Sequence, residues 1–284
     1  MSLYELIERP SLERPTLVLG LDGWIDAGLG SGQALAAILE QSEMETVATF
    51  DSDVLLDHRA RRPTMHLIDG VNTGLTWPQI ELRVGVDNEG QEGLFLVGAE
   101  PDHNWRAFSQ AVVDLALEFD VRMVVGLGAY PAPIPHTRPG RVVSTATSQS
   151  LAEMVGFVHG QIDVPSGVHG AIERRCAEVG LPAVGLWAQV PHYAATMPYP
   201  EAAAALIDAL ARVGELQFDN TTLTVEADQA RVRLDELVAN SNEHTEMVRQ
   251  LEQHYDALEV EGQLLASGDE LAAELEKFLR DQGT

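Results

Sequence analysis

The sequence holds a single cysteine, Cys176, in 284 residues. One thiol excludes an internal disulfide and the cysteine-rich zinc sites. Positive charge is nearly as scarce. Eighteen Lys and Arg against 44 Asp and Glu leave a formal net charge of -26, and Lys277 is the only lysine. So acidic a chain is a poor partner for nucleic acid, which is gripped through basic patches, and for anionic membranes. Long apolar runs are missing as well. None approaches the roughly 18 residues that a membrane helix needs. The start, MSLYELIERPSLERP, lacks the basic opening, apolar middle and small-residue cleavage site of a signal peptide. A cytoplasmic location is therefore expected. Several catalytic signatures are also missing: H-E-x-x-H, the G-x-S-x-G elbow, Walker A and G-x-G-x-x-G. No cofactor is expected.

What is present is a globular composition, 45% hydrophobic and 22% charged, long enough to bury a sizeable core. Short apolar runs read as strands at 16–21, 46–50, 80–86, 93–99, 121–129, 141–147 and 182–188. Helical spacing predicts helices at 27–41, 105–119, 148–156, 168–179 and 200–213. Strands alternating with helices imply an α/β fold whose sheet is covered on both faces. The pair at 80–86 and 93–99 reads as a hairpin, which makes the sheet mixed.

Two regions follow from the pattern: an α/β core at 1–214 and an acidic helical extension at 215–284. The extension carries 17 acidic and 5 basic residues. Apolar residues step by four and three from Leu223 to Leu258, about five heptads of one seam. Leu234, Leu237, Val248, Leu251 and Tyr255 lie on it, and polar Ser241 and His244 interrupt it. No Pro or Gly stands between Leu223 and Val260, so a single long helix is expected, then a turn at 262–269 and a short second helix. The seam either packs on the chain's own body or pairs with another subunit.

Three loops carry candidate chemistry. GLDGWIDAGLGSGQAL (20–35) joins the first strand to the first helix and contains Asp22, Gly23, Trp24 and Asp26. A glycine-rich turn at a helix start admits ligands close to the backbone, although its carboxylates repel phosphate. GAYPAPIPHTRPG (128–140) follows a buried strand at the sheet's carboxyl edge, where open α/β sheets bind ligands. It presents His136, Thr137 and Arg138. His169, in PSGVHG, and His192 with Tyr193, in VPHY, lie at similar edges and complete a candidate ligand or contact cleft. A weaker constellation, Asp51, Asp53 and His58, has the donor types for a divalent metal. Neutralisation of those carboxylates by Arg59, Arg61 and Arg62 is the plainer reading. Cys176, within AIERRCAEVG, reads as a packed thiol.

Taken in order, GLDGWIDAG (20–28), FDSDVLLDHRARRP (50–63), AEPDHNWRAF (99–108), PHTRP (135–139), PSGVHG (165–170) and WAQVPHY (187–193) resemble the actinobacterial branch of the proteasome assembly chaperone 2 family. The resemblance implies a three-layer α/β/α domain with a mixed, phosphorylase-like sheet. It also implies self-association or pairing with a related subunit. With the missing catalytic motifs and the apolar seam, the expectation is a non-enzymatic, chaperone-like protein that binds other proteins and forms a homo-oligomer, a trimer being preferred. Relatives that dock on a proteasome can end in a hydrophobic residue, Tyr and one more residue. This chain ends Asp281-Gln282-Gly283-Thr284, so insertion of its end into a proteasome pocket is not expected. The alternative function is a binder or enzyme for a small nucleoside- or nucleotide-like anion, held between the loop at 20–32 and His136 with Arg138.

Overall fold

A computed structural model describes residues 3–260 and 275–278. Its centre is an eight-stranded mixed sheet of order β1-β3-β6-β7-β2-β8-β10-β9. The strands are β1 (Tyr4–Leu6), β2 (Thr16–Asp22), β3 (Glu45–Phe50), β6 (Ile80–Val86), β7 (Glu92–Ala99), β8 (Met123–Ala132), β9 (Val142–Ala146) and β10 (Ala183–Pro191). Four of them, β7, β2, β8 and β10, run parallel and fill the middle. The remaining pairs are antiparallel, among them the expected β6–β7 hairpin. Central parallel strands are buried on both faces. That is why Thr16–Gly20 and nearly all of β8 are buried and read in the sequence as continuous apolar runs.

Helices cover both faces. On one side lie α1 (Gly30–Gln41), α4 (Gln149–Val155), α6 (Pro200–Gly214) and α7 (Thr221–Ala239); on the other lie α3 (Trp105–Glu118) and α5 (Val168–Val179). Each face has its own apolar cluster, one around Ile38, Phe95 and Leu206, the other around Leu17, Phe108 and Ile172. Helix α6 forms because Pro200 presets its first turn and alanine has the best intrinsic helix propensity. Its buried alanines, Ala202, Ala203 and Ala209, let it lie close on the sheet. The three-layer α/β/α expectation is met. Among the described residues no helix is long and apolar enough to cross a membrane.

Three departures from the sequence reading have physical causes. The helix expected at 27–41 is interrupted. Gly28 (φ 63°) and Leu29 (φ 55°) are left-handed, so a single 3-10 turn at Ala27–Leu29 precedes α1. The long tail helix is two helices, α7 and α8 (Asn242–Val260). Asn240 and Ser241 end the first, and the Ser241 hydroxyl accepts a hydrogen bond from the His244 backbone N–H at the start of the second. A serine cap competes with helix continuation without Pro or Gly. Of the seam residues Leu237 is 55% exposed, while Leu234, Val248 and Tyr255 are buried. The turn expected at 262–269 lies outside the described residues; residues 275–278 are helical.

The third departure is a separate two-stranded sheet, β4 (Thr64–Ile68) and β5 (Val71–Thr76). A short helix, α2 (Ser52–Leu55), precedes it.

Candidate functional site

Strands β2 and β8 pair only from Thr16–Leu19 with Met123–Gly126. They meet again at an isolated bridge, Asp26 with Ala129. Between these points the chain leaves β8, and a cavity of about 630 Å³ opens at the carboxyl end of the parallel strands. Beside it β2 leads to α1 on one face and its neighbour β7 leads to α3 on the other, as at the usual ligand crevice of an open α/β sheet.

Several devices hold the crevice. Gly23 (φ 133°) turns the chain out of β2, and a side chain there would meet the Arg61 guanidinium. Both carboxylate oxygens of Asp26 accept backbone N–H groups, Ser31 at 2.7 Å and Gly32 at 3.0 Å, and so anchor the first turn of α1. Buried Glu100 accepts the Val168 N–H at 2.6 Å and fixes the start of α5. Its own N–H donates to the Asp22 carbonyl at 2.6 Å. Two indoles lie against glycines, Trp24 against Gly167 and Trp187 against Gly128, where a Cβ would stand 2.6 and 2.4 Å from the rings. His169, on the first turn of α5, also lines the cavity, and its Nε2 has no hydrogen-bond partner. So does Phe278, from the C-terminal segment.

The electrostatics are those of a desolvated acidic crevice. Burial pushes the Asp22 carboxyl above its ordinary range, reinforced by the charge of Asp26 and opposed by Arg61. Burial also pushes Glu100 up, against the Val168 hydrogen bond. Desolvation lowers the His169 imidazole to about 4, so it is neutral at pH 7. Behind it on α5, Glu173 accepts the Thr145 hydroxyl at 2.6 Å and is raised by burial. Cys176 is pushed up to about 12 by burial and by the Glu173 charge. It is an inert, packed thiol at neutral pH.

The sequence grouped ten residues into one cleft; the structure divides them. Asp22, Gly23, Trp24, Asp26 and His169 line the crevice. His136, Thr137, Arg138 and Tyr193 instead grip the tail. The Tyr193 hydroxyl oxygen accepts the His136 N–H at 2.8 Å and contacts its Nδ1 at 2.7 Å. Nε2 of His136 reaches Asp235 on α7 at 3.1 Å. One assignment satisfies every atom: Tyr193 donates to Nδ1, and Nε2–H donates to Asp235. Arg138 forks onto Asp256 of α8 at 2.7 and 2.8 Å, and Thr137 donates to Glu252. The Tyr255 hydroxyl donates to the Pro139 carbonyl. His192 stacks edge-on against Tyr193, away from the crevice. The tail therefore packs on its own body, the first of the two alternatives. Acidic residues of α7 and α8 occupy both His136 and Arg138, the pair that the sequence offered for an anion.

The metal constellation is also taken apart. Asp51 caps α2 by accepting the Val54 N–H, and Asp53 pairs with His58 at 2.9 Å. Arg61 neutralises Asp102, at 3.1 Å, and none of these three. Among the described residues no group of three or more His, Cys, Asp or Glu is placed to hold a metal ion.

His136 is 1% exposed and joins the body to the tail, whereas Asp235 is largely hydrated. Replacing His136 with alanine is expected to weaken the tail's attachment by about 1–2 kcal/mol, a five- to thirtyfold rise in opening. Limited trypsin digestion measures it: cleavage after Arg231, Arg233 and Arg249 accelerates while the sheet domain survives. Unchanged cleavage would show that α7 and α8 hold on without this link.

Sequence reasoning missed the β4–β5 hairpin. Its signal was IDGV, a two-residue Asp-Gly turn between apolar residues. Asp69 (φ 49°) and Gly70 (φ 82°) are both left-handed, as a type I′ turn requires.

No curated protein matches the sequence. The chain is 35% identical to a Mycobacterium tuberculosis protein of unknown function, covering 100% of this chain and 97% of that one, with a TM-score of 0.85. It is 31% identical to a PAC2 family protein of Streptomyces avermitilis, over 82% of this chain and 99% of that one (TM-score 0.73). It is 29% identical to a proteasome-assembly chaperone homologue of Mycobacterium tuberculosis, over 82% and 99% (TM-score 0.75). The model of the PAC2 family matches residues 20–238. That span starts near the end of β2 and stops one residue short of the end of α7. The chain belongs to the PAC2 family.

Proposed function

We propose that this chain is a chaperone-like, non-enzymatic assembly protein that binds other proteins and associates with copies of itself through the β4–β5 hairpin. The observation that carries this reading is the hairpin's surface. Met65, Leu67, Ile68, Val71 and Leu75 are 43–64% exposed, and Trp77 at its base is 45% exposed. Met65 faces Leu75 and Ile68 faces Val71 across the ladder, so the apolar residues form cross-strand pairs. A lone two-stranded hairpin is marginally stable in water, and a contiguous exposed apolar patch marks an interaction surface. Both are resolved when a partner covers it.

The near-neutral surface of the hairpin permits a second copy as that partner. Two chains of net charge -26 repel each other, and contact through neutral surface adds least to that repulsion. Between Thr64 and Thr76 the only ionisable residues are His66 and Asp69. Family membership supports the wider role, since a 29% identical relative is a proteasome-assembly chaperone homologue. Under this reading the chain is a cytoplasmic homo-oligomer, a trimer, and the acidic extension at 215–284 is an elaboration strapped to the core.

Light scattering tests it. The wild type is expected at about three times the 30.8 kDa chain mass. A paired Ile68→Asp and Val71→Asp variant is expected to be monomeric with an unchanged circular dichroism spectrum, because both side chains are exposed. A wild type that is monomeric throughout the micromolar range refutes self-association.

A further inference from the structure

The crevice between β2 and β8 is not used by the hairpin-mediated role, and its chemistry selects a ligand class. Its volume, about 630 Å³, is in the range of small-molecule sites. Its walls are aromatic: Trp24, Trp187 and Phe278. Its charged lining is acidic, from Asp22, Asp26 and Glu100. Asp26 is spent on the start of α1, with an N–H on each oxygen. Glu100 is 7% exposed, with one oxygen on Val168. The nearest cation, Arg61, is already bonded to Asp102. A buried imidazole nitrogen, Nε2 of His169, lacks a partner, which is uncommon for a buried polar atom.

We propose that this crevice binds a small protonated amine with an apolar or aromatic body, the ammonium held by Glu100 and Asp22 and the body by Trp24, Trp187 and Phe278. Aromatic faces attract a cation through their quadrupole, and carboxylates accept its N–H groups as charge-assisted hydrogen bonds. The raised carboxyls of Asp22 and Glu100 point the same way, since a bound cation offsets the desolvation that raises them. An anion meets the opposite field. The glycine-rich turn that suggested an anion in the sequence is thus a site for the opposite charge.

Three isosteric probes differ only in their head group: benzylamine, benzyl alcohol and benzoate. Each is titrated into the full chain and followed by tryptophan fluorescence and by melting temperature. Benzylamine is expected to saturate in the low-millimolar range or below and to raise the melting temperature. The alcohol and benzoate are expected to bind at least about tenfold more weakly. Glu100→Gln retains an acceptor for Val168 and should erase the preference for amine over alcohol, while Trp187→Leu should weaken all three probes. Binding of benzoate as tight as that of benzylamine overturns the proposal, as does no saturable binding of benzylamine. An amine preference that survives Glu100→Gln overturns it too.

Discussion

Gly98→Ala is expected to lower the free energy of unfolding by about 2–5 kcal/mol, a large part of the roughly 5–15 kcal/mol that holds a domain together. Gly98 sits near the end of β7, paired on one side with Ile80 and on the other with Leu21. Its φ is +122°, a conformation nearly closed to side chains, and a Cβ would stand 2.1 Å from the Gln79 carbonyl oxygen. Two costs therefore add. Holding an L-residue in the left half of the map costs about 1–2 kcal/mol, and overpacking costs about 1–3 kcal/mol. The clashing atom is backbone, one residue before β6, so it cannot swing aside as a side chain would. Relief requires β6 and β7 to part, two residues upstream of Glu100, and the crevice would loosen with them. Gly90→Ala separates the two costs. Gly90 also has positive φ, +83°, but nothing lies within 4 Å of its Cβ position, so strain alone remains and a loss near 1 kcal/mol is expected. Urea unfolding of the two variants measures both. Equal losses would show that the Gln79 carbonyl yields freely.

The sequence reveals this fold where one physical signal dominates. The strand at 80–86 and the helix at 168–179 are read at the observed boundaries, and those at 16–21 and 105–119 differ by one residue. In each, burial imposes a clean period. The signal fails where burial is absent. The β4–β5 hairpin covers no core, so its apolar residues obey no inside-outside alternation, and only its turn betrays it. It also fails where a local hydrogen bond outbids a pattern, as at Ser241, whose cap splits a seam that heptad spacing joins. The site was half legible. The loop at 20–26 and His169 could be placed at the sheet's carboxyl edge because they follow a strand or open a helix. The diversion of His136 and Arg138 to the tail could not be read, since Asp235, Glu252 and Asp256 lie 99 to 118 residues further along the chain. Glu100 and Trp187 were missed as wall residues because their roles depend on Gly167 and Gly128 lying against the rings and on the start of α5.

His169 is expected to make the protein lose up to about 3 kcal/mol of stability between pH 7 and pH 4, and His169→Gln is expected to abolish that loss. The unfolded chain binds a proton at the ordinary histidine value of 6.5, whereas the folded imidazole resists one until about 4 because burial desolvates the cation. Below pH 6.5 the unfolded state therefore holds the extra proton. Stability falls as pH falls, by up to about 1.4 kcal/mol per pH unit, until the folded ring also titrates. The buried carboxyls act in the opposite sense. Glu100 and Glu173 are raised by burial, so the folded state binds their protons more tightly and gains from acidification. The wild-type curve alone mixes these contributions. The difference between wild type and His169→Gln isolates the imidazole, since glutamine keeps a polar side chain that does not titrate. Urea denaturation at about pH 7 and about pH 4.5 gives that difference directly. Parallel curves would mean that the imidazole protonates in the folded crevice as readily as in water. In that case the ring is hydrated and its Nε2 has water for a partner.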